Sequence, residues 1–260
     1  MAENQTVMFH STIFGPIRSR RLGVSLGINL SPADGKVCSF DCLYCEAGYN
    51  KQGAGKKGLP ALEAVERELE AKLKEMSEAG EPLDVITFSG NGEPTLNPQF
   101  PEIMDAVIRL RDKYYPEAKV SVLTNSTRIF TPAVAEALKK ADNNILKLDS
   151  AIEETMRVID RPNDPEFTVE KVVEGLKQFK DTGVIQTMFV RGSHDGITID
   201  NTTPREIAAL IRAYKEIAPR EIMIYSLDRP TPEVNLKKVE SDELAKIAER
   251  LRGEGLKVSY

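Results

Sequence analysis

Cysteine is scarce in this chain: its 260 residues include three, all within positions 38–45. No thiol remains elsewhere to form a structural bridge, and an odd, clustered count does not read as a disulfide framework. Histidine is scarcer, with His10 and His194 far apart, so the paired ligands that structural zinc favours are missing. No run of 18 apolar residues occurs, which argues against a membrane span. The opening Met-Ala-Glu-Asn-Gln-Thr has neither the basic segment nor the apolar core of a secretory leader, and a cytoplasmic, reducing location is expected. Basic charge is not in excess. The 35 Lys and Arg stand against 40 Asp and Glu, a formal charge of −5, without the broad footprint of a nucleic-acid face. Local basic groups do occur: Arg18, Arg20 and Arg21 near the start, and Lys51, Lys56 and Lys57 after the cysteines. Charge alone leaves a nucleic acid, a small anionic ligand and plain solvent open for them, and Arg18, Arg20 and Arg21 are candidates to hold a small phosphate or a cofactor.

What the chain does have is alternation. Apolar runs at 22–30, 84–89, 119–123, 144–148, 185–190 and 221–226 read as six strands. Between them lie amphipathic segments. Leu62, Val65, Leu69, Leu73 and Met76 fall at helical spacing over 60–79, and Phe100, Met104, Val107 and Ile108 mark the next helix. Thr203, Pro204 and Glu206 read as an N-cap, a first-turn proline and the acid of a capping box, while Ser241 reads as the cap of a last helix. The pattern is α/β with a parallel sheet and right-handed crossovers. A partial barrel and a flat doubly wound sheet share this periodicity. The stretch 48–58 reads as a surface loop, with no linker dividing the chain.

In such folds ligands sit at the carboxyl ends of the strands. The cysteine run, Gly90-Asn91-Gly92-Glu93, Asn125, Asp149-Ser150, Arg191 and Asp228-Arg229 all fall there. Tyr225 reads as core, and Ser193-His194-Asp195-Gly196 as an ordinary loop. Cys38, Cys42 and Cys45, at offsets of four and three, converge as thiolates on one soft metal centre. Three protein ligands leave a coordination position open, where chemistry would occur. A zinc or iron–sulfur protein that binds a partner without catalysis is the non-enzymatic reading.

Cys38-x-x-x-Cys42-x-x-Cys45, with Tyr44 before the third cysteine, resembles the signature of the radical S-adenosylmethionine (radical SAM) superfamily. Gly90-Asn91-Gly92-Glu93-Pro94 stands where that superfamily has Gly-Gly-Glu-Pro, Asn91 replacing its second glycine. The resemblance implies an α/β partial (β/α)6 barrel in a single domain, with a core over 14–230 and a C-terminal extension over 231–260. It implies a 4Fe-4S cluster on the three cysteines, whose open iron takes S-adenosylmethionine. It further implies cofactor contacts from Tyr44 to adenine, from Gly90, Asn91, Gly92 and Glu93, from Asn125, Asp149 and Ser150, and from Arg191 to the carboxylate. The expected activity is reductive cleavage of S-adenosylmethionine to a 5′-deoxyadenosyl radical that takes hydrogen from a substrate. Expected partners are a low-potential electron donor such as flavodoxin or ferredoxin and a substrate that is a small molecule, a protein or RNA, with no membrane partner.

Segments 14–23, 25–29, Leu148-Asp149-Ser150 and Ile159-Asp160-Arg161-Pro162 are similar to small radical enzymes related to the wybutosine-synthesising tRNA enzymes. Size and a single cluster also resemble glycyl-radical enzyme activases. The wybutosine enzymes use a second cluster, for which no cysteine is left here, and the acidic balance lacks a tRNA footprint.

Overall fold

The structure, a computed structural model, describes residues 7–19 and 23–260. Expectations resting on residues 1–6 and on Arg20, Arg21 and Leu22 lie outside the described residues. In chain order the elements are β1 (Ile13–Ser19), β2 (Gly23–Ile28), α1 (Leu62–Glu78), β3 (Val85–Phe88), α2 (Phe100–Tyr114), β4 (Lys119–Thr124), α3 (Pro132–Lys139) and β5 (Asn143–Lys147). Then follow α4 (Glu153–Ile159), α5 (Val169–Leu176), β6 (Val184–Met188), β7 (Val190–His194), β8 (Ile197–Asp200), α6 (Pro204–Ile217), β9 (Glu221–Tyr225), β10 (Lys237–Lys238), α7 (Ser241–Gly253) and β11 (Val258–Ser259).

One eight-stranded sheet runs β1-β2-β3-β4-β5-β6-β9-β11, and β10-β7-β8 form a small antiparallel sheet. From β2 to β11 every pairing in the large sheet is parallel. The six expected strands are β2, β3, β4, β5, β6 and β9, and they lie in chain order with no reversal. A doubly wound sheet needs a reversal to place helices on both faces. Right-handed crossovers in unbroken order put the helices on one face, so the sheet curls as an open, partial barrel. Residues 231–260 add to it, since Val258 pairs with Ile222 and extends the parallel set past β9.

Strand residues alternate between the two faces. Ile86, Phe88, Val120, Val122, Leu146 and Ile185 are fully buried in the main core, where Phe88 meets Phe100 of α2 edge to face at 5.6 Å. At this density, truncating such a ring costs about 3–5 kcal/mol. The opposite face carries polar contacts, such as Ser25 Oγ to Thr87 Oγ1 at 2.8 Å. No helix among the described residues is long and apolar enough to cross a membrane.

The caps depart from expectation in two places. Thr203 does cap α6, accepting from the Glu206 amide at 3.3 Å. Glu206 does not complete the box: its buried carboxylate instead accepts from Ser150 Oγ at 2.7 Å and Thr155 Oγ1 at 2.5 Å. The last helix begins at Ser241 itself, with Glu240 at the N-cap and no side-chain cap bond. Thr203→Ala is expected to cost about 1 kcal/mol, seen as a lower denaturant midpoint at unchanged slope.

Candidate active site

The cysteine loop leaves the end of β2 and is stitched on both sides. On one side Val37 forms a bridge with Gly92, and the Glu93 amide donates to the Val37 carbonyl at 3.0 Å. Gly92 permits this approach, because a Cβ there would lie 1.9 Å from that carbonyl oxygen. On the other side runs the segment after α4. Leu43 N donates to Ile159 O at 2.9 Å, Asp41 N to Asp160 O at 3.1 Å, and Asn163 N to Ser39 O at 2.9 Å. The Ile159-Asp160-Arg161-Pro162 motif is thus the second wall of the loop. Tight turns, with Cys45 N to Cys42 O at 3.2 Å and Gly48 N to Cys45 O at 2.9 Å, complete it.

All three thiols are free, Cys42 being buried and the other two partly so. Burial, then the nearby Glu93 carboxylate, pushes the Cys38 thiol up to about 11. Burial also raises the Cys42 thiol well above its ordinary value, opposed by the charge of Lys147. Thiols this reluctant to ionise alone become thiolates when a metal replaces the proton. Among the described residues no three His, Cys, Asp or Glu side chains are gathered about the position of a single ion. A polynuclear iron–sulfur cluster takes its ligands at separate corners, and three free thiols on one short loop suit it.

Glu93 is the next component. It sits at the end of β3, 4% exposed, and among the described residues every hydrogen bond to its carboxylate comes from a neutral donor. Thr95 N at 3.1 Å, Thr95 Oγ1 at 2.5 Å and Thr124 Oγ1 at 2.7 Å reach Oε1, and Asn125 N at 2.7 Å reaches Oε2. Burial raises its pKa against the pull of these bonds. A buried carboxylate supported by dipoles, with no cation beside it among the described residues, is suited to an incoming ammonium. Asn125 joins it to the thiols, since its Nδ2 lies 3.6 Å from Cys38 Sγ and donates to Ser39 Oγ at 2.9 Å.

A second polar group lies beyond Cys42. Lys147, pointing inward from the end of β5, donates to Asp149 Oδ2 at 2.7 Å, contacts the Tyr44 hydroxyl, and lies 3.5 Å from Asp160 Oδ1. The Tyr44 hydroxyl also bonds Asp149, whose Oδ1 accepts from Met188 N at 2.8 Å. Asp160 Oδ1 lies 3.6 Å from Cys42 Sγ. The sequence pattern does not single out Lys147, because lysine is by default a surface residue, and it offers Asp160 only within the segment 159–162, with no role at the site.

The structure therefore brings Tyr44, Gly92, Glu93, Asn125 and Asp149 to the cysteine loop. Gly90, with φ of +147°, packs its backbone on Asn29. Three other candidates have side chains engaged elsewhere. Asn91 Nδ2 donates to Phe9 O at 2.8 Å and Pro32 O at 3.2 Å while its Oδ1 accepts from Phe9 N, so it braces the N-terminal segment. Ser150 donates to Glu206. The Arg191 guanidinium is taken up by Asp200, Thr202 and Glu243, because β7 turns back into the small sheet instead of continuing the large one. His194 ends β7 and is bonded to Glu233 at 2.6 Å. Tyr225 is partly buried and packs against the core, and with Tyr44, Glu46, Leu123, Met188 and Arg229 it lines a cavity of about 430 Å³ at the carboxyl ends of the strands. Arg229 pairs with Glu46 at 2.7 Å on its rim. A larger cavity, about 630 Å³, opens among the opposite strand ends around Val85, Ile145 and Met223, away from the thiols.

The family model of the Radical SAM superfamily matches residues 34–201. A UPF0026 protein of Helicobacter pylori is 30% identical over 251 residues, which cover 95% of this chain and 75% of that one. The structure of TYW1 with a lysine–pyruvate adduct bound superposes with a TM-score of 0.61 at 19% identity, covering 88% of this chain and 73% of that one. Streptococcus suis SuiB bound to S-adenosylmethionine gives a TM-score of 0.61 at 14% identity, covering 90% and 49%. At these identities the two structures share the fold with this chain.

Proposed function

The chain belongs to the radical SAM superfamily, and from that premise we propose that it cleaves S-adenosylmethionine reductively and uses the product to take hydrogen from a substrate at the cavity mouth. Members of the family are enzymes that use a 4Fe-4S cluster and S-adenosylmethionine. The observation that carries the reading is the adjacency of three free thiols and a buried carboxylate held by neutral donors among the described residues, joined by Asn125. Cys38, Cys42 and Cys45 would hold three irons. When bound, the cluster and cofactor together supply one-electron cleavage of the sulfonium C–S bond, giving methionine and a 5′-deoxyadenosyl radical.

The chain's own groups then have assignable tasks. Glu93 binds the cofactor's ammonium, fixed at both oxygens by Thr95, Thr124 and Asn125. Gly90 and Gly92 let the backbone pass close beside it. Asp149 accepts from a ribose hydroxyl, and the Tyr44 ring, clamped between Asp149 and Lys147, packs on the adenine side. Leu123 and Met188 present apolar surface to the cavity and limit water around a reactive radical. Asn91, Ser150 and Arg191 act as braces. The partners in this reading are a low-potential electron donor and a substrate whose reacting carbon reaches the rim near Arg229.

Anaerobic reconstitution with iron and sulfide, then reduction with S-adenosylmethionine present, is expected to yield 5′-deoxyadenosine and methionine. A fully loaded protein that makes neither product defeats the proposal. Screening cell metabolites, peptides and a tRNA pool for substrate loss coupled to cleavage identifies the hydrogen donor.

A further inference from the structure

Lys147 is a lysine in an unusual place. Its side chain is 15% exposed, it projects into the barrel, and its contacts come from three separate segments: Asp149 on its own strand end, Tyr44 within the cysteine loop, and Asp160 after α4. Its ammonium lies 4.5 Å from the Tyr44 ring centre. Taking an ammonium out of water costs several kcal/mol and is tolerated where opposite charge surrounds it. Here two acidic side chains flank it. Asp149 is 1% exposed and so is Asp160, giving two buried carboxyl groups to one lysine, with Cys42 Sγ 3.6 Å from the second. Burial works against the ammonium, but Asp149 and then Asp160 outweigh it and raise its pKa well above the usual lysine value. The ion pair with Asp149 at 2.7 Å and the approach of Asp160 at 3.5 Å favour the ammonium form.

A fixed positive charge beside one of three thiolates has one large consequence. Reduction of a cluster on that loop adds one electron to a site already negative, and the electron's energy depends on nearby charge in a medium of low dielectric. We propose that Lys147 is a positioning residue whose buried ammonium stabilises the reduced cluster and so sets the potential at which the electron for cofactor cleavage is accepted. The assignment rests on the cluster reading under Proposed function and adds to it a residue outside the cysteine motif. The net step is one electron from an external low-potential reductant into the cluster, with no bond made or broken at Lys147.

The test is the midpoint potential of the holoprotein, reconstituted with iron and sulfide and titrated with dithionite under electron paramagnetic resonance, without S-adenosylmethionine. Wild-type protein must first show the signal of a reduced four-iron cluster; if it does not, the cluster reading fails, and this is a separate outcome from the one below. Given that signal, Lys147→Met at full iron and sulfide content is expected to shift the midpoint to lower potential, while Lys147→Arg stays near wild type. A purely structural role would change iron content or folding and leave the midpoint alone, so an unshifted midpoint in loaded Lys147→Met overturns the proposal. If Lys147→Met takes up no iron, Lys147→Gln, which retains a hydrogen-bond donor but no charge, is measured instead: a lower midpoint supports the proposal and an unshifted one overturns it.

Discussion

Cys42→Ala is expected to abolish cluster binding outright: after reconstitution, iron and sulfide fall to background and the brown absorbance is lost, while the far-ultraviolet circular dichroism is unchanged. The protein has no spare thiol, since all three cysteines lie within positions 38–45. Nor do the neighbours offer a replacement. Cys42 Sγ lies 3.6 Å from Asp160 Oδ1, and that oxygen is itself 3.5 Å from the Lys147 ammonium. The fold should survive, because the loop is held by backbone bonds from Leu43 to Ile159 and from Asp41 to Asp160, which do not involve the sulfur. Removing one sulfur from a buried site costs about 1 kcal/mol, a small part of the usual stability of a domain. Cleavage of S-adenosylmethionine disappears with the cluster. A Cys42→Ala protein that retains wild-type iron and the four-iron spectrum removes Cys42 from the ligand set.

The elements that are legible in the sequence share one physical property: their signal is local. Each of the six strands is a short segment with an apolar centre; in β3 all four residues are buried, while in β9 buried and half-buried residues alternate. The cysteine spacing and Glu93 are likewise contained in single short motifs. The elements that are not legible depend on distant partners. β1 is obscured by Gly15-Pro16, which reads as a break; the strand tolerates it as the outermost member of its sheet, with a register shift between Phe14 and Ile17. The β7–β8 hairpin has a usable signal in Asp195-Gly196, both at positive φ in the two-residue turn between His194 and Ile197. Its flanks nonetheless read as the end of one strand and a loop. Lys147 cannot be found by pattern at all. Its burial is created by Asp160, thirteen residues on, and by Tyr44 in another segment, so only the assembled barrel shows it.

Glu93→Gln carries the other large effect, and it separates binding from folding. The amide is nearly the same size but cannot pair with an ammonium as a charge, so S-adenosylmethionine should bind at least tenfold more weakly, in line with the roughly 1.5–3 kcal/mol of a charged hydrogen bond. Equilibrium dialysis of the loaded protein measures this, and wild-type affinity in the variant removes Glu93 from the cofactor site. The same substitution has a signature without any ligand. Burial raises the Glu93 pKa above its ordinary 4.5, so the folded protein holds this proton more tightly than the unfolded chain does. Stability linked to Glu93 is therefore fully present below 4.5 and declines as pH rises from there to the raised folded value. Apo wild type should lose stability across that window, and apo Glu93→Gln should lack that part of the slope. The amide also leaves one conflict, because either the Asn125 amide or the Thr95 and Thr124 donors must face its NH₂. Its absolute stability thus reflects a lost bond set against a relieved charge, whereas the pH slope reports the charge alone. A carboxylate kept at a cost to the empty protein, and repaid by an arriving cation, is what a cofactor-binding group of this kind requires.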